Sequence, residues 1–353
     1  MIREGIAKLI ELQPLSPQEA SQIMTEIMSG EATSAQVASF LTALRMKGET
    51  VDEIVAFAET MRKFSRRIHP NVKKRMVDTC GTGGDQVKTF NVSTAAALIA
   101  AGAGVTIAKH GNRSVTSKCG SADVLEHFGV NLNVEPAEVE RLIEEIGIGF
   151  MFAPIFHPAM KHAAAPRREV GIRTIFNILG PLTNPAGADA QLLGVFEEKM
   201  VNPLAQALAS LGVKDAMVIH GAGGLDEIST TGQTTIAKIS RSKVELSHLD
   251  PSDFGMHEAR LEDLMEPDIE GCVSTTYCVI SGGRLERRAK QDLALANAAA
   301  AIVLGTETAD LKEGVEMARR SVDSGAAYQK LVDLVRGTGG SVEKLNGLKK
   351  QYG

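Results

Sequence analysis

Two clusters of residues in this chain have the types and spacing to act on a phosphorylated substrate. The first is Asp78-Thr79-Cys80-Gly81-Thr82-Gly83-Gly84-Asp85, with Asn91-Val92-Ser93-Thr94 and an alanine-rich run close behind. Glycine has no Cβ, so the main chain can approach a ligand and turn through positive φ. Unpaired amides at a helix start favour a bound anion, and Ser93 and Thr94 add hydroxyl donors beside it. Asp85, an acid closing the turn, suits a sugar hydroxyl or a magnesium-bound water. The second cluster is Asp226-Glu227, directly after Gly221-Ala222-Gly223-Gly224-Leu225. Adjacent carboxylates on a loop can face one hard cation, and Mg²⁺ usually binds through one or two carboxylates plus substrate phosphates.

Other chemistries narrow quickly. A Walker loop needs Lys and then Ser or Thr after its last glycine, but Asp85 follows Gly84. The dinucleotide fingerprint G-x-G-x-x-G fails because position 86 is Gln. The remaining choices are a phosphate-holding turn and a plain glycine turn between strand and helix. The acid pair can likewise be an acidic turn or a helix-start charge; the strand and glycines before it favour the cation. Lys109 and Arg113, within Lys109-His110-Gly111-Asn112-Arg113, bring positive charge suited to phosphate, and Asn112 can donate and accept at once. Pro166-Arg167-Arg168 with Arg173 is a basic cluster beside a Gly- and Pro-rich segment. It is a candidate carboxylate clamp, since Arg pairs bidentately with such groups. His157, His162 and His220 lack the H-E-x-x-H spacing of a zinc set. Gly337-Thr338-Gly339-Gly340 has neither a strand before it nor an acid after it, and reads as a turn.

These residues need elements to hold them. Residues 1 to about 70 read as all helix. Ser16-Pro17 opens one helix, with Ala20, Ile23, Met24, Ile27 and Met28 at helical spacing and Gly30 beyond its end. A second runs from Ser34 to near Gly48 and a third from Val51 through Met61. From residue 76 strands alternate with helices. Met76-Val77 feeds the glycine turn, a helix follows to Ala101, and 105–108 is a strand followed by the loop 109–113. Helices are expected near Ser121, over 136–146, from His157-Pro158, and around Leu204, Leu208 and Leu211; strands are expected at 148–153 and 216–219. The alternation predicts a mainly parallel sheet with helices on both faces. Residues 235–239 and 243–246 predict an antiparallel hairpin on one edge, and 292–304 a long helix ended by Gly305. In such sheets ligands sit beyond the carboxyl ends of the strands. Four predicted strand ends (78–85, 109–114, 153–158 and 220–227) carry the loops of interest.

The fold class expected is α/β. A small helical N-terminal domain occupies 1–72, with 166–187 crossing back to pack on it, and a larger α/β domain occupies 73–165 and 188–353. At 353 residues the chain has room for about two domains. Hydrophobic content of 44% and charged content of 23% are those of an ordinary globular protein. A net charge of -5 argues against a broad nucleic-acid or membrane surface, though not against a local basic pocket. The four cysteines, at 80, 119, 272 and 278, form no C-x-x-C pair. They suggest reduced cytosolic thiols rather than zinc or a disulfide framework. The N-terminus lacks a signal-peptide core, and no apolar stretch reaches the roughly 18 residues of a membrane span. A cytoplasmic protein is expected.

Gly81-Thr82-Gly83-Gly84-Asp85, Asn91-Val92-Ser93-Thr94, Lys109-His110-Gly111-Asn112-Arg113-Ser114, Gly120-Ser121-Ala122-Asp123, Gly180-Pro181-Leu182-Thr183-Asn184-Pro185 and Asp226-Glu227 occur in one order along the chain. In that order they resemble the anthranilate phosphoribosyltransferase family of tryptophan biosynthesis over essentially the full length. The absence of Trp agrees weakly. The resemblance implies a nucleoside phosphorylase/phosphoribosyltransferase-like fold, a homodimer formed through the helical domain, and an active site between the two domains. It implies transfer of the phosphoribosyl group of 5-phosphoribosyl 1-pyrophosphate to the amine of anthranilate, giving N-(5-phosphoribosyl)anthranilate and pyrophosphate. By family pattern Gly81, Thr82, Gly83, Gly84, Asp85, Thr89, Asn91, Ser93, Thr94, Lys109 and Cys119 would bind phosphoribosyl pyrophosphate. Gly81, His110, Asn112, His157 and Arg167 would line the anthranilate path, with Arg167 meeting the carboxylate. Ser93, Asp226 and Glu227 would hold Mg²⁺, two ions per subunit.

No side chain is assigned a covalent or acid–base role in this resemblance. An aromatic amine is neutral and nucleophilic near neutrality, so catalysis reduces to positioning and charge stabilisation. The run after Asn112-Arg113 departs from the family pattern, with Thr116 and Cys119 where serine is common; Thr116 keeps a hydroxyl and Cys119 replaces it by a thiol. A glutamine amidotransferase is a candidate partner; nucleic acid and membrane are not. A pyrimidine nucleoside phosphorylase would use free phosphate without a magnesium pair, and a nucleic-acid-binding relative would carry a basic surface. Asp226-Glu227, the 109–113 loop and the acidic balance argue against both.

Overall fold

The computed structural model describes residues 1–84, 87–114, 119–241, 243–266, 268–285, 288–308 and 310–352. Four helices open the chain where three were expected: α1 (Ile2–Ile10), α2 (Pro17–Ser29), α3 (Ser34–Lys47) and α4 (Val51–Lys63). The last three start on capping boxes, Ser16 with Glu19, Thr33 with Gln36 and Thr50 with Glu53, which satisfy helix-start amides reciprocally. Gly30, at φ 81°, ends α2. Helix α1 has no side-chain cap and is held by packing instead. Gly5 lies so close to α2 that a Cβ there would stand 2.3 Å from Ile23 Cδ1.

The sheet region runs β1 (Met76–Gly81), α5 (Val92–Gly102), β2 (Thr106–Gly111), α6 (Ser121–His127), α7 (Pro136–Ile146), β3 (Ile148–Phe152) and α8 (Ala153–Phe156). A crossing segment follows, with α9 (Lys161–Val170) and α10 (Phe176–Leu182), then β4 (Ala190–Gly194), α11 (Val201–Ser210), β5 (Asp215–Gly221), β6 (Thr234–Ser240) and β7 (Lys243–Leu249). Five helices end the chain: α12 (Ile269–Ser281), α13 (Arg288–Gly305), α14 (Leu311–Asp323), α15 (Ala326–Gly337) and α16 (Val342–Tyr352). The sheet order is β3-β2-β1-β4-β5-β6-β7. The first five strands in that order pair in parallel, and β5, β6 and β7 pair antiparallel. The expected edge hairpin is therefore present.

Neighbouring strand residues feed opposite faces, as the pleat requires. Val77, Leu192, Met217 and Ile219 join the core under α5 and α13. Leu193, Ala216 and Val218 join α11 and the N-terminal helices. The crossing segment belongs to that second face: α9 packs on α2 and α3, and α10 on α4.

Three differences from expectation share a cause. Strands β1 and β2 continue through Asp78–Gly81 and Lys109–Gly111, where loops were expected, and β4 was not anticipated. All three lie inside the sheet with helices over both faces, so polar residues are buried there and alternation vanishes.

Candidate active site

Strand order reverses at β1, with β2 on one side and β4 on the other. Such a switch point opens a crevice beyond the carboxyl ends of the strands. Here it opens into a cavity of about 600 Å³.

The glycine turn leaves β1 through Gly83 at φ 66° and Gly84 at φ 83°, a conformation that favours glycine. Its partner is the acid loop after β5. Gly83 N–H donates to Asp226 Oδ2 at 2.9 Å. Asp226 is wedged between two glycines: a Cβ on Gly81 would meet Asp226 Oδ2 at 2.3 Å, and one on Gly194 would meet Asp226 O at 1.6 Å. Loss of water raises the Asp226 pKa, partly offset by the Gly83 amide. The buried Asn297 of α13 fixes the loop from behind, accepting from Ile228 N–H at 2.9 Å and donating to Ile228 O at 3.0 Å. Thr82 ties the turn to β4, since its N–H donates to Gly194 O at 2.9 Å and its hydroxyl accepts from Phe196 N–H at 3.1 Å.

Beneath the turn lies a buried charge network. Lys109, at the end of β2, is 3% exposed. It donates to Thr79 O at 2.5 Å and to Ser93 Oγ at 3.3 Å. Burial lowers its pKa, and the nearby carboxylates of Asp78 and Glu227 oppose that shift. Burial raises the Asp78 pKa, while Asn184, Lys109, the His110 amide and Gln191 favour its ionised form. The start of α5 is equally committed. Asn91 Nδ2 donates to Cys119 O at 3.4 Å, and the Thr94 hydroxyl donates to Asn91 Oδ1. Thr89 donates to Phe90 O at 3.1 Å and bridges to Met265.

The far side of the cavity is different. The His110 and His157 rings lie 5.0 Å apart. Desolvation lowers the His110 pKa to about 3, with its histidine neighbour adding to the effect, and desolvation lowers that of His157 to about 4. Both are neutral imidazoles with a buried, unpartnered Nε2. Arg167 on α9 stacks over Phe176 at 5.1 Å. Burial lowers its pKa, and among the described residues no carboxylate pairs with it. Asn112 accepts from Arg113 N–H at 2.8 Å. Arg113 itself is held by Asp123 at 2.9 Å and Glu126 at 2.8 Å, so its charge is spent within the protein.

Gly81, Thr82, Gly83, Gly84, Thr89, Asn91, Ser93, Lys109, His110, Asn112, Cys119, His157, Arg167, Asp226 and Glu227 all line the one cavity. Thr94 does not; it is buried behind Asn91. Asp85 and Thr116 lie outside the described residues. Arg167 and Arg173 do not act together as a clamp. Arg173 stacks on Phe196 at 4.2 Å and donates to Gly84 O at the tip of the turn. Gly194, Asn297 and Asp78 escaped sequence reasoning as positioners, although an Asn inside the alanine-rich 292–304 helix was a visible signal.

Two family models match this chain: the glycosyl transferase family a/b domain over residues 73–328 and the same family's helical bundle domain over residues 3–65. The anthranilate phosphoribosyltransferase of Geobacter sp. (strain M21) is 50% identical over 348 residues, covering 95% of this chain and 98% of the relative. That of Methanocorpusculum labreanum is 50% identical over 340 residues, covering 96% and 99%. Among solved structures, the Thermus thermophilus anthranilate phosphoribosyltransferase superposes with a TM-score of 0.88 at 40% identity, covering 95% and 99% of the two chains. The Saccharomyces cerevisiae enzyme in complex with PRPP and Mg gives 0.86 at 28% identity, covering 96% and 98%.

Proposed function

The chain belongs to the anthranilate phosphoribosyltransferase family, and we propose that the cavity at the β1–β4 switch point is where it works. It transfers the phosphoribosyl group of 5-phosphoribosyl 1-pyrophosphate to the amine of anthranilate, giving N-(5-phosphoribosyl)anthranilate and pyrophosphate. One observation carries the assignment to this cavity. The glycine turn and the acid pair, far apart in sequence, meet through Gly83 N–H and Asp226 Oδ2.

In this proposal Gly81, Thr82, Gly83, Gly84, Thr89, Asn91, Ser93, Lys109 and Cys119 serve phosphoribosyl pyrophosphate, and Thr94 acts through Asn91. Asp226, Glu227 and Ser93 are the residues that would hold Mg²⁺, two ions per subunit. The donor set fits a hard cation that shares its ligands with substrate. Asp226 is buried with one amide on Oδ2, and no group of three His, Cys, Asp or Glu among the described residues forms a metal cage. When bound, the ion supplies positive charge for the departing pyrophosphate.

The protein's own groups do the rest. Lys109 and Ser93, bonded to each other, present positive charge and a hydroxyl to the phosphate oxygens. Arg167, with no carboxylate partner among the described residues, takes the carboxylate of anthranilate. His110 and His157 offer neutral Nε2 acceptors for the amine N–H groups, so that the nitrogen lone pair is left to face ribose C1. Alignment of this kind replaces a strong base.

The same proposal extends to assembly. The helical domain, residues 1–72 with 166–187 against it, would pair with a second copy through exposed Ile10, Leu12 and Met46, with 73–165 and 188–353 as the catalytic domain. A cytoplasmic enzyme with an associated glutamine amidotransferase completes the reading. No helix among the described residues is long and apolar enough to cross a membrane. Mixing the protein with anthranilate, phosphoribosyl pyrophosphate and Mg²⁺ should abolish anthranilate fluorescence. A folded protein that leaves it unchanged contradicts the proposal.

A further inference from the structure

The arm that carries the chain from the glycine turn to α5 is held by a segment from far along the sequence. Thr89 and Asn91, on this arm (87–91), line the cavity. Glu266 N–H donates to Lys88 O at 2.7 Å, and Met265 forms an antiparallel bridge with Thr89. The place of the arm therefore depends on the place of residues 265–266.

A buried charge pair fixes that segment. The Glu266 carboxylate accepts from the Thr275 hydroxyl of α12 and pairs with the Lys290 ammonium of α13, both through Oε1. The two charged side chains, Glu266 and Lys290, are only 10% and 15% exposed. Gly271, in the first turn of α12, leaves the room the carboxylate needs, since a Cβ there would collide with Glu266 Oε2. Lys290 lies two turns before Asn297 on α13, so one helix braces two loops of the cavity. Asn297 holds the loop of Asp226 and Glu227 through Ile228, and Lys290 holds the arm of Thr89 and Asn91 through Glu266.

Charge gives the pair a second task. Glu266 lines the cavity and Lys290 does not. A bare carboxylate on the wall of a site for pyrophosphate would repel it, and Lys290 neutralises that acid from behind. Neither residue takes part in the transfer chemistry proposed above.

We propose that Glu266 is a positioning residue for the phosphoribosyl pyrophosphate side of the site, and that Lys290 is the counter-ion that keeps it in place. Without Lys290, Glu266 becomes a buried carboxylate stripped of its cation, a costly state that is relieved when the group reaches water. The cavity that it lines offers that water. There the carboxylate meets the pyrophosphate with like charge, and its departure loosens the backbone tie to Lys88 and Thr89. The effect on substrate affinity rests on the assignment of this cavity to phosphoribosyl pyrophosphate; the tie to the arm does not.

The test uses the full-length protein carrying Lys290→Met, a change outside the cavity. KM for phosphoribosyl pyrophosphate should rise roughly ten-fold, the scale of one charge-assisted bond. Turnover and KM for anthranilate should stay within about two-fold of wild type, the pattern of a lost binding contribution rather than a damaged reaction. Adding Glu266→Gln to Lys290→Met removes the stranded charge, yet leaves an amide oxygen for Thr275 and the backbone bond to Lys88. This double variant should recover most of the affinity. Hydrogen exchange read by mass spectrometry should quicken over 87–91 and 265–266 in Lys290→Met, while 76–84 keeps its wild-type protection. An unchanged KM for phosphoribosyl pyrophosphate, equal rises for both substrates, or a double variant as weak as the single one overturns the proposal. So does unchanged exchange over the arm. A wild-type protein with no transferase activity would instead refute the assignment of the cavity, and the exchange pattern would still decide whether Lys290 holds the arm.

Discussion

The two halves of the cavity are built on opposite terms. In the half proposed to take phosphoribosyl pyrophosphate, nearly every polar group already has a partner inside the protein: Gly83 with Asp226, Lys109 with Thr79 and Ser93, Asn91 with Thr94 and Cys119. In the half proposed to take anthranilate, His110 Nε2 and His157 Nε2 are buried without partners, and Arg167 stacks on Phe176 with no carboxylate paired to it among the described residues. The contrast follows from the cost of burial. A buried ammonium or carboxylate without a partner costs several kcal/mol, whereas a neutral imidazole nitrogen, or a half-buried guanidinium stacked on a ring, costs far less. Charged groups for a phosphate substrate must therefore be stabilised by the fold itself. Groups for an aromatic amine can wait. Substitutions in the first half should damage folding and binding together, and those in the second should damage binding alone.

The sharpest way to break this comparison is Lys109→Met. It strands Asp78 as a buried carboxylate without its cation and should cost about 3–5 kcal/mol of stability, read as a lower denaturation midpoint. The double variant Asp78→Asn with Lys109→Met should recover part of the loss. A midpoint unmoved by Lys109→Met would mean the network is decorative. Next in size, Asp226→Asn combined with Glu227→Gln should lower turnover by roughly 10²–10³-fold and flatten its Mg²⁺ dependence. Near-normal rates would detach the acid pair from the metal.

In the aromatic half the effects are smaller and confined. Arg167→Ala should raise KM for anthranilate ten-fold or more, for the loss of a charge-assisted bond worth about 1.5–3 kcal/mol, with the denaturation midpoint unchanged. An unchanged KM would take Arg167 out of the pocket. The histidines give the mildest test, through pH. His110 and His157 titrate near 3 and 4 in the fold, against about 6.5 when unfolded. The unfolded chain therefore binds protons that the native one refuses. Stability should fall as pH drops from about 6.5 towards 4, by up to about 1.4 kcal/mol per pH unit for each imidazole. Thermal melts of the wild type and of His110→Asn with His157→Asn at about pH 7 and about pH 5 check it, since the variant should lose less on acidification.

Local signals made much of this molecule readable from sequence. Pro136 and Gly147 bound α7 as the chain predicts, and Ser16, Thr50 and Gly30 mark helix ends by their own chemistry. Strand β6 alternates because one face meets water, while its hairpin partner β7 is exposed along most of its length. Burial on both faces hid the rest. Ala190–Gly194 carries no alternation, and Asp78, Lys109 and His110 look like loop residues until Asn184 and Gln191 are brought beside them. Helix α14 was within reach, with Asp310 as its cap and Val315, Ala318 and Val322 on one face. In the site itself the glycine turn, the 109–113 run and the acid pair were legible as motifs, whereas other lining residues such as Phe176, Asn177, Glu266 and Asp268 were not. Gly194 and Asn297 were not, because their role is to position Asp226 and its loop rather than to touch a ligand.

Equilibrium binding of each substrate to two variants tests the division of the cavity most directly. A crossed result is expected. Asp226→Asn with Glu227→Gln loses affinity for phosphoribosyl pyrophosphate in the presence of Mg²⁺ while holding anthranilate, and Arg167→Ala does the reverse. If both variants weaken both substrates equally, the cavity is not divided in this way.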